Sequence, residues 1–263
     1  MKRRFYAGLT ALASAAALGC AGCGITAVDP GNGREGKDDI LIKEQVITSR
    51  EQAREVIRAY LEEKYGRTYE VQLPHRNDIG NFQTQAYPGG DVNQEIYVLA
   101  DAETGECRDS GCLDLVEEYV EGQLKDKQEA GWEKSRMQIL CSFWDDVPEQ
   151  EWGTDADPKA VIQEEYVHCQ IFLMIPDTAP DKEQEAVRIA DLLSVGCLSE
   201  MRGTLEGYYV DGTVYASSEE QLLDGRAMML ADCGESYENK VTVRWNSGNE
   251  PLDTEEIISG FNR

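Results

Sequence analysis

Eight cysteines and two histidines are the residues of this chain best suited to nucleophilic or metal chemistry. Beyond Cys20 and Cys23, the thiols are Cys107, Cys112, Cys141, Cys169, Cys197 and Cys233. A thiol nucleophile needs an imidazole within reach, and only His75 and His168 can supply one. His168 directly precedes Cys169, so in a strand their side chains point to opposite faces. Cys141 or Cys233 could still meet His168 across strands. Two histidines without a close Cys-x-x-Cys pair do not make a structural zinc site. The acidic stretch "DDVPEQEWGTDADP" offers Asp145, Asp146, Asp155 and Asp157 but lacks the spacing and turn glycine of a calcium loop. It reads as a solvated loop. Its region also holds Trp132, Trp144 and Trp152, aromatics that either stack on a sugar or partner or else cap the core. Paired carboxylates for glycosidic chemistry cannot be singled out among 50 acids. "GNGREG", Gly31 to Gly36, fits the dinucleotide-binding pattern in letters alone, with no strand before it or helix after it to present the phosphate site. No cofactor or metal is implied.

The N-terminal cysteines belong to a different chemistry. "MKRR" is a cationic start, and the uncharged run Phe5–Leu18 is shorter than the ~20 residues that a helix needs to cross a bilayer. Small residues close it, as in a signal peptide. "ALGC" resembles the bacterial lipobox, which implies that residues 1–19 are removed and that Cys20 carries the lipid. Cys23 would need Cys20 in the aliphatic position of its own box. An ordinary secretory signal cut near Ala21 or Gly22 is the other reading. Lipidation implies a cell-membrane protein anchored on the extracytoplasmic face, touching the bilayer through acyl chains only.

Residues 20–39 are then a lipidated N-terminus and a flexible tether, rich in Gly and Asp. A helix is expected over "TSREQAREVIRAYLEEKYG", where Thr48 to Glu51 and Ser49 to Gln52 have capping-box spacing. Ala53, Val56, Ile57, Tyr60, Leu61 and Tyr65 form its apolar stripe, and Gly66 stands at the C-cap. "TYEVQLP", "NFQTQAY" and "QEIYVLAD" alternate with period two and predict an antiparallel meander. A second helix is expected from Leu113 to Glu129, ended by Gly131.

The second half should open with the strand "MQILCSFW". "EYVHCQIFLMIPD", apolar on both faces, reads as a central buried strand. Asp181 is expected to cap a helix over "DKEQEAVRIADLLSVG" that Gly196 ends. In "GTLEGYYVDGTVYAS", Asp211 and Gly212 predict a two-residue hairpin turn. A short helix "SSEEQLLDG" and strands "AMMLAD" and "KVTVRWN" follow, then a polar tail. The class is α+β, helices packed on mostly antiparallel sheet. Either one domain or two small lobes, residues 40–131 and 132–263, suits this order.

The formal charge of −25 argues against nucleic acid as a partner, because like charges repel over a Debye length. Spread along helices, the acids also serve solubility. Export permits disulfides. Cys107 and Cys112 in "CRDSGC" are the one locally plausible pair, and buried free thiols are the alternative.

The order of lipobox, tether, capped helix ending "EKYG", strand "TYEVQL" and later "CRDS" resembles clostridial-type Gram-positive lipoproteins of uncharacterised function. "IYVLADAETGECRDS" resembles the closing strand and turn of PepSY-type modules, which implies a non-catalytic binding or inhibitory role. The expected function is therefore non-catalytic binding of an envelope protein, peptide or glycan at the cell surface. A cell-surface hydrolase with a carboxylate or Cys/His site, and a structural partner of an envelope complex, are the alternatives.

Overall fold

The computed structural model describes residues 46–92, 94–223, 237, 239–248 and 252–261. The signal peptide, the tether, Cys20, Cys23, Cys233 and the expected strand "AMMLAD" lie outside them.

Helix α1, Arg50–Tyr65, starts where its capping residues require. Ser49 Oγ accepts from the Gln52 backbone N–H at 3.1 Å, and Gln52 Oε1 accepts from the Thr48 N–H at 3.0 Å. Two otherwise orphaned donors are thereby satisfied. The helix ends at Gly66, whose φ of 65° lies in the left-handed region that a residue without Cβ adopts most cheaply. Ala53, Ile57 and Leu61 face inward, against a five-stranded sheet.

That sheet comprises β1 Tyr69–Val71, β2 His75–Arg76, β3 Phe82–Pro88, β4 Ile96–Ala100 and β5 Cys107–Asp109. Its order is β1-β3-β4-β5, all antiparallel, with β2 also paired to β3 on the edge that β1 uses. Pro74 between β1 and β2 has no N–H to give the ladder, which fits the break.

The second sheet is entered through α2, Leu113–Gly131, and contains β6 Arg136–Phe143, β7 Val167–Ile175, β8 Arg202–Tyr209 and β9 Asn239–Trp245. Its order is β6-β7-β8-β9. β7 and β8 run parallel, joined through α4 Lys182–Leu193 and a short 3-10 helix, Gly196–Glu200, and the other pairs are antiparallel. Central strand β7 is covered on both sides, as its apolar sequence demands. Val167, Cys169, Ile171, Leu173 and Ile175 join the main core with α2 and α4. Phe172 and Met174 on the reverse face join Tyr208 and Val210, with Val214 and Tyr215 of α5, Gly212–Leu223, packed against them. Asp157 caps α3, Pro158–Glu164, with Pro158 at its start. The last helix, α6, is Thr254–Ser259.

The fold is α+β, helices on mostly antiparallel sheet. Three local expectations are corrected. Asp211 and Gly212 do not turn a hairpin: Asp211 Oδ1 accepts from the Thr213 N–H at 2.7 Å and starts α5. Gly196 opens the 3-10 helix instead of ending α4, whose cap is Ser194. The polar tail carries α6, and Phe261 bridges back to Val241. The buried cores divide between Cys107 and Cys112, because α2 packs its Val116, Val120 and Leu124 into the second core. No helix among the described residues is long and apolar enough to cross a membrane.

Candidate functional site

Alternation in β3 sends Phe82, Thr84 and Ala86 inward and Gln83, Gln85 and Tyr87 outward. Residues directly opposite one another share a face, so the strand register lays out a grid on the side away from α1. One row is Gln72, Gln85 and Tyr97, the next is Glu70, Tyr87 and Glu95, and the third is His75, Gln83, Leu99 and Arg108. The grid is polar and aromatic where a core-facing sheet would be aliphatic.

Its side chains hold one another in place. Gln85 Nε2 donates to Glu95 Oε1 at 2.7 Å and to the Tyr97 hydroxyl at 3.2 Å. Gln72 Nε2 donates to the Tyr87 hydroxyl at 3.1 Å. The hydrogen bond with Glu95 pushes the Tyr97 phenol above its usual range, and desolvation does the same for Tyr87. Both phenols therefore stay neutral at physiological pH and keep a proton to donate.

The segment 144–152, between β6 and α3, borders the Leu99 and Arg108 end. Gln83 Nε2 donates to Asp146 Oδ2 at 3.1 Å, and Arg108 Nη1 donates to the Pro148 and Glu149 carbonyls. Asp146 has φ 65°, the only positive value among the described non-glycine residues and a conformation that Asp tolerates better than most residues. Buried Glu165 fastens the segment from below, accepting from the Glu149 N–H at 2.9 Å and the Trp152 indole N–H at 2.8 Å. Trp144 is 72% exposed and Tyr166 75%, and the Trp144 N–H donates to the Tyr166 carbonyl. The result is a half-exposed amide and phenol surface with a hydrogen-bonded acidic border and exposed aromatics at the edge.

Behind the grid, Asp109 is fully buried and accepts four hydrogen bonds: Lys64 Nζ at 2.7 Å, the Tyr60 hydroxyl at 2.7 Å, the Tyr65 hydroxyl at 2.6 Å and the Gly111 N–H at 2.7 Å. A carboxylate with every neighbour already donating to it is a staple between α1 and β5, not a group poised to accept a substrate proton.

The five described thiols, Cys107, Cys112, Cys141, Cys169 and Cys197, are free. Burial pushes the Cys107 and Cys112 thiols up to about 12, and Cys197 up to about 11. Cys141 stands opposite Cys169, whereas His168 stands opposite Ser142 and so faces the other side of the sheet. The cross-strand meeting of Cys141 with His168 does not occur. Trp132 and Trp152 belong to the core: their indole N–H groups donate to buried Glu185 and Glu165. Of the three tryptophans near the acidic loop, Trp144 alone is exposed. Asp157 is spent on capping. Among the described residues, no group of three or more His, Cys, Asp or Glu is placed to hold a metal ion.

Sequence reasoning missed the grid and the staple. "NFQTQAYP" does carry a signal, since amides and a phenol at alternate positions mark a strand face that is wet. Nothing local in it names the neighbouring strands.

Compared with known proteins, the chain matches no family model and no curated protein. It is similar to a crystal structure of a DUF5037 family protein from Ruminococcus gnavus, at 17% identity and a TM-score of 0.42, over 78% of this chain and 97% of that chain. None of these comparisons links the chain to lipoproteins or PepSY modules.

Proposed function

We propose that this is a lipid-anchored extracytoplasmic binding protein, held at the cell membrane through Cys20, whose open sheet face takes an uncharged, hydroxyl-rich envelope glycan. The observation that carries the reading is the grid of Gln72, Gln85, Tyr87 and Tyr97. The amides and neutral phenols donate and accept hydrogen bonds without selecting for charge, Glu70 and Glu95 in the adjoining row disfavour an anion, and phenol rings offer apolar faces on which sugar rings stack. The formal charge of −25 disfavours anionic polymers.

A soluble chain lacking residues 1–39 should be retained on immobilised neutral cell-wall glycan. Tyr97→Ala and Gln85→Ala should each weaken that binding at least about tenfold, the loss of ~1.4 kcal/mol, without changing the far-ultraviolet circular dichroism. Equal retention by wild type and both variants would place the ligand elsewhere. Hydrolysis of the glycan by wild type would replace binding with catalysis. For the anchor, cells fed an alkyne fatty acid should label wild type and Cys23→Ala but not Cys20→Ala. Label surviving in Cys20→Ala would move the lipid to another residue.

A further inference from the structure

Cys141 of edge strand β6 and Cys169 of central strand β7 are direct cross-strand partners. The Cys141 N–H points away from β7 and donates to Glu117 Oε1 on α2 at 2.8 Å. The Cys169 carbonyl faces β8, where a Cβ built on Gly203 would lie 2.5 Å from its oxygen. The two residues therefore exchange no backbone hydrogen bonds and form the close type of antiparallel pair, with Cα atoms about 4.5 Å apart and side chains on one face. That separation falls inside the range of about 4.4–6.8 Å that disulfides span. Cys169 is also the largest influence on the Cys141 thiol, raising it as a side-chain partner, in keeping with two thiols within reach of each other. Cys169 is fully buried in central strand β7, whereas Cys141 is a partly buried residue of β6 packed against the rim of the main core, so a reagent that reaches the pair as the sheet opens meets Cys141 first.

We propose that Cys141 and Cys169 are a disulfide-forming pair that staples β6 to β7, with Cys141 as the entry thiol and Cys169 as the resolving thiol. The oxidant is an external disulfide. The Cys141 thiolate attacks one of its sulfurs, forming a mixed disulfide and releasing one external thiol or thiolate. The Cys169 thiolate then attacks Cys141 Sγ and releases the second. Two protons leave the protein thiols, two electrons reduce the external disulfide, one S–S bond breaks and one forms. The neighbouring Cys169 side chain and then burial hold the Cys141 thiol well above its ordinary range, so exchange on the folded protein is slow at neutral pH and accelerates as pH rises. Oxidation during folding, before the thiols are enclosed, is the faster route. The inference rests on sheet register and is independent of the glycan reading.

The test uses the full chain and oxidised glutathione. One sample is oxidised folded at alkaline pH and another is refolded from reduced, denatured chain. Both are then alkylated in denaturant, digested and analysed by mass spectrometry. The expected product lacks two hydrogens and yields one linked peptide joining Cys141 to Cys169, more slowly in the folded sample. Cys141→Ser should abolish that link, and Cys197→Ala should preserve it. Reductant should lower the thermal midpoint of the oxidised wild type and leave Cys141→Ser unmoved. Full alkylation of both thiols after refolding, or a link from Cys169 to Cys197 instead, would overturn the assignment.

Discussion

Asp109 shows how much one side chain can carry. Its carboxylate is fully enclosed and faces a lysine whose own side chain is only 10% exposed, so removing it strands the Tyr65 hydroxyl and the Gly111 N–H and leaves Lys64 and Tyr60 the longer contacts to Glu151 at 3.8 and 3.3 Å. Asp109→Ala should cost about 3–5 kcal/mol, the range for breaking a buried ion pair from one side, read as a lower urea midpoint. Tyr65→Phe removes one donor and leaves the carboxylate three others, so about 1–2 kcal/mol is expected. At the other extreme, Trp144→Ala should change stability by less than about 0.5 kcal/mol, because 72% of that residue is already in water. None of this contrast can be read along the chain. Asp109 is one acid among 50, and Tyr60, Lys64 and Tyr65 lie 44 to 49 positions away. Its role depends on a tertiary meeting that no local pattern encodes.

Elements were legible where their determinants are local. The starts of α1 and α4 follow from side chains three residues from the amides they cap, the end of α1 from Gly66, and β3 and β7 from period two and from continuous apolarity. Pairing was not legible: the parallel β7–β8 contact, made through α4, looks in sequence like one more step of a meander. Asp211–Gly212 failed for a related reason. Its letters suit a turn, but Val214 and Tyr215 have an apolar surface to cover on Phe172 and Met174, and a helix presents them to it. The two conformations make opposite demands on Gly212. A two-residue hairpin turn would place it at positive φ, whereas Gly212 is not among the positive-φ residues and an added Cβ would meet nothing within 4 Å. Gly212→Ala should therefore be neutral or stabilise by about 0.4–1 kcal/mol. Asp211→Ala, which removes the capping acceptor, should destabilise by ~1 kcal/mol. In thermal melts Gly212→Ala distinguishes the two, since Ala at the positive φ of a turn would destabilise.

For the whole molecule, charge and buried protons combine into one dependence on pH. The formal charge is −25 and the pI about 4.4, so repulsion among surface acids opposes the compact state at neutral pH and above. Burial separately holds the Cys107 and Cys112 thiols at about 12 and raises the Tyr65 and Tyr209 phenols, whose neighbours Asp109 and Glu185 push the same way. In the unfolded chain thiols titrate near 8.5 and phenols near 10. Each group's contribution is thus complete below its unfolded value and is lost as pH climbs toward the folded one, because the unfolded state releases a proton that the folded state keeps. Between the two values the loss approaches ~1.4 kcal/mol per pH unit for each group. The thermal midpoint should fall gently up to pH 8.5, more steeply from pH 9 as the thiols engage, and more steeply again above pH 10. Added salt screens surface repulsion over about 10 Å at 0.1 M and should raise the curve without flattening its alkaline limb, since enclosed protons are not screened. Cys107→Ala should make the limb between pH 9 and 10 shallower than in wild type at every salt concentration. If salt alone abolished the alkaline limb, surface repulsion would account for it and the buried thiols and phenols would not.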